Sequence, residues 1–132
     1  MAERTVLVLE DEPATLRVLS DMLVSGGYKV IGAADGMAAL RAVRQHHPAL
    51  AVVDLGVPGL NGFQFIAMLK RDQTMKVPIL VVTGRTNESD HQAARAAGAD
   101  GLLAKPVRRE DLLAWTQEHL APDNGSGGLT PP

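Results

Sequence analysis

Cysteine is absent from this 132-residue chain. That excludes disulfides, zinc–thiolate sites, iron–sulfur clusters and thiol nucleophiles. Rings are scarce as well: Tyr28, Phe63, Phe65 and Trp115 make up 3% of the residues. A base-stacking surface needs more of them, set on strands between basic side chains. Neither sign of charge prevails, with 15 acidic and 13 basic residues and a formal net charge of −2. Binding of nucleic acid through bulk positive charge is therefore disfavoured. No apolar run approaches the roughly 18–20 residues of a membrane-spanning helix. The first residues, Met1-Ala2-Glu3-Arg4, lead straight into strand-like sequence, without the regions of a signal peptide. The expectation is one soluble, cytoplasmic domain, with neither nucleic acid nor membrane as a direct partner.

What the chain has is an alternation of two kinds of segment. Short runs rich in Val, Ile and Leu fall at Thr5–Leu9, Tyr28–Gly32, Leu50–Val53, Ile79–Val82 and Gly101–Ala104. Three are almost continuously apolar, as parallel strands are when both faces are buried. Helix signals fill the gaps. Pro13 suits a first helical position, with Leu16, Leu19 and Leu23 at helical spacing and Gly26-Gly27 as a stop. Asp35 can cap a second helix with a stripe of Met37, Leu40 and Val43 before Pro48. Asn61 can cap a third, with Phe63, Ile66 and Leu69 along one side. A fourth, weakly amphipathic, runs through the alanines at 93, 94, 96 and 97 to Gly98, and a fifth from about Arg109 to Leu120.

Strand–helix repeated five times predicts a three-layer α/β/α sandwich around a doubly wound, five-stranded parallel sheet. The expected strand order is 2-1-3-4-5, the flavodoxin-like arrangement. Residues 1–121 would form this domain. Residues 122–132, dominated by Gly, Ser, Pro and Asn, read as a flexible tail or an interdomain linker.

In open sheets of this kind the site lies at the carboxyl ends of the strands. Strand one ends in Glu10-Asp11-Glu12, strand three in Asp54, strand four in Thr83-Gly84 and strand five in Lys105-Pro106. Crowded carboxylates repel unless a cation joins them. A hard divalent ion with oxygen ligands fits, and Mg²⁺ fits best because it takes one or two carboxylates, keeps water and accepts phosphate oxygens. No His or Cys stands at these ends, which argues against zinc or copper. A carboxylate beside Mg²⁺ can attack phosphorus and form an aspartyl phosphate. Lys105 and the Thr83 hydroxyl could then stabilise and fix the phosphoryl oxygens. Taken singly, each residue has a plainer reading: a solvated acidic turn, a turn cap at Asp54, a strand threonine, a surface lysine. Four strand ends carrying complementary groups at one edge outweigh those readings together.

These residues resemble the receiver domain of two-component response regulators. The likeness runs from about Thr5 to Leu120. It rests on four stretches: Val6 to Pro13 (VLVLEDEP), Ala51 to Gly62 (AVVDLGVPGLNG), Val77 to Gly84 (VPILVVTG) and Gly98 to Pro106 (GADGLLAKP). The resemblance implies that Asp54 is the phosphoacceptor. It implies that Asp11 and Asp54 ligate Mg²⁺ directly, with the main-chain carbonyl of Gly56, and that Glu10, often Asp in the family, holds the ion through water. Lys105 would pair with the phosphoryl oxygens, and Thr83 would hydrogen-bond one of them. The Lys105–Pro106 bond is expected to be cis. Gly84 would leave an access path for the donor, while Gly56 and Arg85 would flank the pocket where dephosphorylation is tuned. The donor would be a phosphohistidine on a sensor histidine kinase or a histidine phosphotransfer protein. The phosphate would draw Thr83 inward and bias a two-state equilibrium read at helix four, strand five and helix five, by an output domain, a partner or a second copy.

One position departs from the pattern. Receivers usually carry a ring three residues before the lysine, and here that residue is Leu102. Trp115 on helix five could anchor an interface or be a half-covered surface residue. His46, His47, His91 and His119 read as surface histidines without metal-ligand spacing, and Arg108-Arg109 as a solvated helix start. Two other functions are weighed. A phosphohydrolase of the haloacid-dehalogenase kind needs a second acid two residues after its nucleophile, where this chain has Gly56, and a cap that this length does not hold. A receiver-like interaction domain that is never phosphorylated would not need the full residue set.

Overall fold

The computed structural model describes residues 4–72, 74–84 and 88–120. Arg85 and the tail expected over residues 122–132 lie outside the described residues. Five strands, β1 (Thr5–Leu9), β2 (Lys29–Ala33), β3 (Leu50–Val53), β4 (Ile79–Thr83) and β5 (Gly101–Ala104), alternate with five helices. These are α1 (Pro13–Ser25), α2 (Gly36–His46), α3 (Gly62–Arg71), α4 (Glu88–Ala97) and α5 (Arg109–His119). Every ladder is parallel, and the order is β2-β1-β3-β4-β5.

The apolar runs are explained by two covered faces. Every residue of β3 and β4 is buried, as are the last four of β1. Side chains alternate between faces. Leu7, Leu9, Val53 and Val81 pack with Leu40, Val43, Phe65, Ile66 and Ala94 of α2, α3 and α4. Val6, Val8, Val52 and Val82 pack with Leu19, Leu23 and Leu112 of α1 and α5. Each such side chain, fully buried, contributes about 1.5–3 kcal/mol relative to exposure. The edge strands β2 and β5 are only partly covered.

The helix starts fall where the sequence marks them. Asp35 accepts from the Ala38 N–H at 2.8 Å. Asn61 and Gln64 form a reciprocal capping box, at 3.0 and 2.9 Å. Three details differ from the expected pattern. β2 begins and ends one residue later than Tyr28–Gly32, and β4 extends to Thr83. The inward stripe of α2 is Gly36, Ala39, Leu40 and Val43, whereas Met37 is exposed. The cause is a close approach. A Cβ on Gly36 would lie 2.0 Å from the Leu60 carbonyl oxygen, so the bare glycine faces the body and turns Met37 outward. The same phase appears in α3, where Gly62, Phe65, Ile66 and Leu69 are buried and Phe63 packs at the margin.

Candidate functional site at the carboxyl edge of the sheet

The register brings the strand-end residues together. The ladders continue one step past the strands. The Glu10 N–H donates to the Ala33 carbonyl, the Asp54 N–H to Leu9 and the Lys105 N–H to Thr83, each at 2.9 Å. Each side chain is thus fixed by backbone that is itself part of the sheet. Glu10, Asp11 and Asp54 each place a carboxylate oxygen within 4.8 Å of the others'. Glu10 is 1% exposed and Asp54 9%, while Asp11 lies open to solvent. Thr83 is buried at the end of β4. Gly56 is exposed two residues beyond Asp54. At Gly84 an added Cβ would meet nothing within 4 Å among the described residues, which leaves room beside Thr83.

Lys105 reaches into this cleft from the end of β5, and the bond to Pro106 is cis. Its Nζ lies 2.6 Å from Glu10 Oε1 and 3.7 Å from Asp54 Oδ1. The other Glu10 oxygen accepts from the Glu12 N–H at 3.2 Å. Burial pushes the Glu10 carboxyl above the usual carboxylate range, and the Asp54 charge adds to it, against the lowering pull of Lys105 and the Glu12 N–H. For Lys105, burial pulls downward, but the Glu10 hydrogen bond and the charges of Asp54, Glu10 and Glu12 together raise it. The ammonium therefore stays charged across the neutral range. The donors are hard oxygens, one carboxylate is solvent-facing, and three carboxylates outnumber the one lysine drawn to them. That set fits a hard divalent cation and suits no softer metal.

The structure brings together Glu10, Asp11, Asp54, Thr83 and Lys105, with Gly56 and Gly84 at the rim. Leu102 is half-buried against the core on the α3–α4 side. Trp115 is neither free nor fully covered. Its ring lies over Gly101, where a Cβ would sit 2.3 Å from Nε1, and it stacks on His119 at 3.7 Å. His119 lies at the surface as expected but is partly covered, with its Nδ1 2.9 Å from the Trp115 carbonyl oxygen. None of the four histidines belongs to the acidic cluster. Two features were not anticipated. The direct Glu10–Lys105 pairing is one. The other is an apolar groove of about 390 Å³ between α1 and the β5–α5 loop, lined by Ala14, Val18, Leu19, Pro106 and Val107 and by Lys105 itself. Its sequence signal was Val18, an apolar residue off the Leu16–Leu19–Leu23 stripe. A larger cleft of about 610 Å³, lined by Lys70, Asp72, Lys76 and His119 among others, sits beside the start of β4 and is lined by none of the acidic-cluster residues.

The fold and site define a doubly wound α/β domain with an acidic, lysine-bearing cleft at the carboxyl edge of its sheet. The chain belongs to the response regulator receiver domain family, whose model matches residues 6–117. It is 36% identical over 127 residues to the transcriptional regulatory protein KdpE of Mycobacterium tuberculosis. That match covers 96% of this chain but 55% of KdpE, so the chain spans about half the length of that relative. It is 35% identical to protein PilH of Pseudomonas aeruginosa, covering 88% of this chain and 97% of PilH. Among solved structures, the chemotaxis protein CheY4 of Vibrio cholerae superposes with a TM-score of 0.83 at 32% identity, covering 90% of this chain and all of that one. The receiver domain of the sensor histidine kinase PA1611 from Pseudomonas aeruginosa superposes with a TM-score of 0.84 at 29% identity, covering 90% and 98%. That structure has a magnesium ion coordinated in its active-site cleft.

Proposed function

We propose that Asp54 accepts a phosphoryl group from a phosphohistidine and that this switches the domain's output surface. The observation that carries the reading is the convergence of Glu10, Asp11 and Asp54 with Lys105 at one strand edge. Asp11, Asp54 and the Gly56 carbonyl would hold Mg²⁺ directly, and Glu10 through water. The ion supplies positive charge to the phosphoryl oxygens as negative charge develops on them. An Asp54 oxygen attacks phosphorus, the P–N bond of the phosphohistidine breaks, and the imidazole leaves with the bonding pair. Lys105 pairs with a phosphoryl oxygen, and the Thr83 hydroxyl donates to another. Attack by water on the acyl phosphate later releases inorganic phosphate and restores the carboxylate. The domain thus promotes its own phosphorylation and dephosphorylation and no other turnover.

The donor would be a sensor histidine kinase or a histidine phosphotransfer protein. The apolar groove beside Lys105 gives such a protein a surface continuous with the cleft. Thr83 and Leu102 would carry the change to α4, β5 and α5, where an output domain, a partner or a second copy would read it. Leucine at 102 fills space without a hydroxyl, so the signal would travel by packing shifts. Among the described residues no helix is long and apolar enough to cross a membrane, and a cytoplasmic setting agrees with a kinase as donor.

Incubation with Mg²⁺ and a small acyl phosphate, followed by intact mass, tests the reading. One phosphoryl group should be gained by the native chain and none by Asp54→Ala. Steady phosphate release from general phosphomonoesters would favour a hydrolase instead.

A further inference from the structure

Lys105 has two carboxylates within ion-pair reach and does not share itself evenly. Glu10 Oε1 is at 2.6 Å, a charge-assisted hydrogen bond. Asp54 Oδ1 is at 3.7 Å, beyond hydrogen-bond length. Burial explains the preference. The Glu10 side chain is 1% exposed, against 13% for Asp54, so Glu10 would lose more by giving up its counter-ion. Its other oxygen is already held by the Glu12 N–H. Length explains the reach. An aspartate at this position would be shorter by one methylene, about 1.5 Å, and would fall short of the ammonium.

We infer that Glu10 is a positioning residue that parks Lys105 away from Asp54. This rests on the reading of Asp54 as phosphoacceptor and cation ligand. Parking serves both roles. Lys105 competes less with a divalent cation for Asp54, and no hydrogen bond from it ties down the nucleophile. The ammonium remains close enough to move to a phosphoryl oxygen once one is present. Glu10 therefore strengthens cation binding through Lys105 as well as through its own charge. If charge alone mattered, Glu10→Asp would leave Mg²⁺ affinity unchanged or improved. If parking matters, the shorter side chain releases Lys105 onto Asp54 and Mg²⁺ binding weakens.

A double-mutant cycle on the whole chain separates the two. Mg²⁺ affinity is measured by calorimetry for the native chain, Glu10→Asp, Lys105→Met and the double variant. The expected result is a loss of about fivefold for Glu10→Asp when Lys105 is present, and none beyond about twofold in the Lys105→Met background. Equal losses in both backgrounds, an unchanged or tighter Glu10→Asp, or no Mg²⁺ binding by the native chain would overturn the inference. Side-chain NMR of the native chain guards against variants that fail to fold. Nuclear Overhauser contacts should join the Lys105 Hε protons to Glu10 Hγ, and their replacement by contacts to Asp54 Hβ would overturn it too. Phosphoryl uptake, scored by mass on the same samples, keeps the two readings apart. Uptake with an additive cycle removes the parking role and leaves Asp54 as acceptor, whereas no uptake by the native chain removes both.

Discussion

Asp54 owes its position to backbone on both sides of it. Its N–H is held by Leu9, and its carbonyl lies against the first residue of α3. A Cβ on Gly62 would sit 2.5 Å from that carbonyl oxygen and 2.7 Å from the Leu55 Cα. Both neighbours are main chain and have little room to yield. Gly62→Ala should therefore lose about 2 kcal/mol in urea denaturation and weaken Mg²⁺ binding by displacing Asp54. Gly84→Ala is the contrast, since a methyl there meets nothing within 4 Å. It should change stability by no more than about 0.5 kcal/mol. The lone tyrosine offers a pH test at the same scale. Burial raises the Tyr28 phenol above its ordinary value of 10.0, against a smaller lowering by Arg4. The folded state thus favours the neutral phenol. Its contribution to stability is full below the ordinary value and is lost as pH rises through the folded one. Absorbance titration of phenolate should show a midpoint above 10.0 in the native chain, falling to the ordinary value on unfolding.

At the scale of elements, the caps decide where helices begin. The Asn61–Gln64 box places the N-cap of α3 seven residues after Asp54, and so sets the shape of the loop that holds Gly56. Asn61→Ala should cost about 1 kcal/mol by thermal or urea unfolding. Those caps were legible in the sequence because a cap is a local chemical event between residues three apart. The strands β1 and β3 were legible to the residue because burial on two faces leaves an unbroken apolar run. The phase of α2 was not. Met37 looked like the start of the apolar stripe, but Gly36 takes the inward place because the Leu60 carbonyl comes so near, a tertiary contact that local pattern does not carry. β2 was misplaced by one residue since an edge strand is half-covered and its pattern is mixed. The convergence of Glu10, Asp11, Asp54 and Lys105 at one edge was legible from strand ends alone. The partner of Lys105 was not, because whether an ammonium turns to Glu10 or Asp54 depends on relative burial and on ångström-scale reach.

Across the whole molecule, the sheet gathers groups from four separate strand ends and leaves a negative cleft with one lysine drawn to it. A fold holding such charge is stabilised by any ligand that binds it only when folded. Mg²⁺ at a hundredfold excess over its Kd should add about 2.7 kcal/mol, seen as a rise in Tm that a chelator reverses. The increment should shrink in Asp54→Ala, which removes one of the three clustered carboxylates. The proposed phosphoryl bond, however, is to one side chain, Asp54. Borohydride reduces an aspartyl phosphate to homoserine, so treating the chain after exposure to Mg²⁺ and an acyl phosphate marks the acceptor covalently. Peptide mass mapping should find homoserine at position 54 and aspartate unchanged at position 11. Homoserine elsewhere, or none after full exposure, would contradict it.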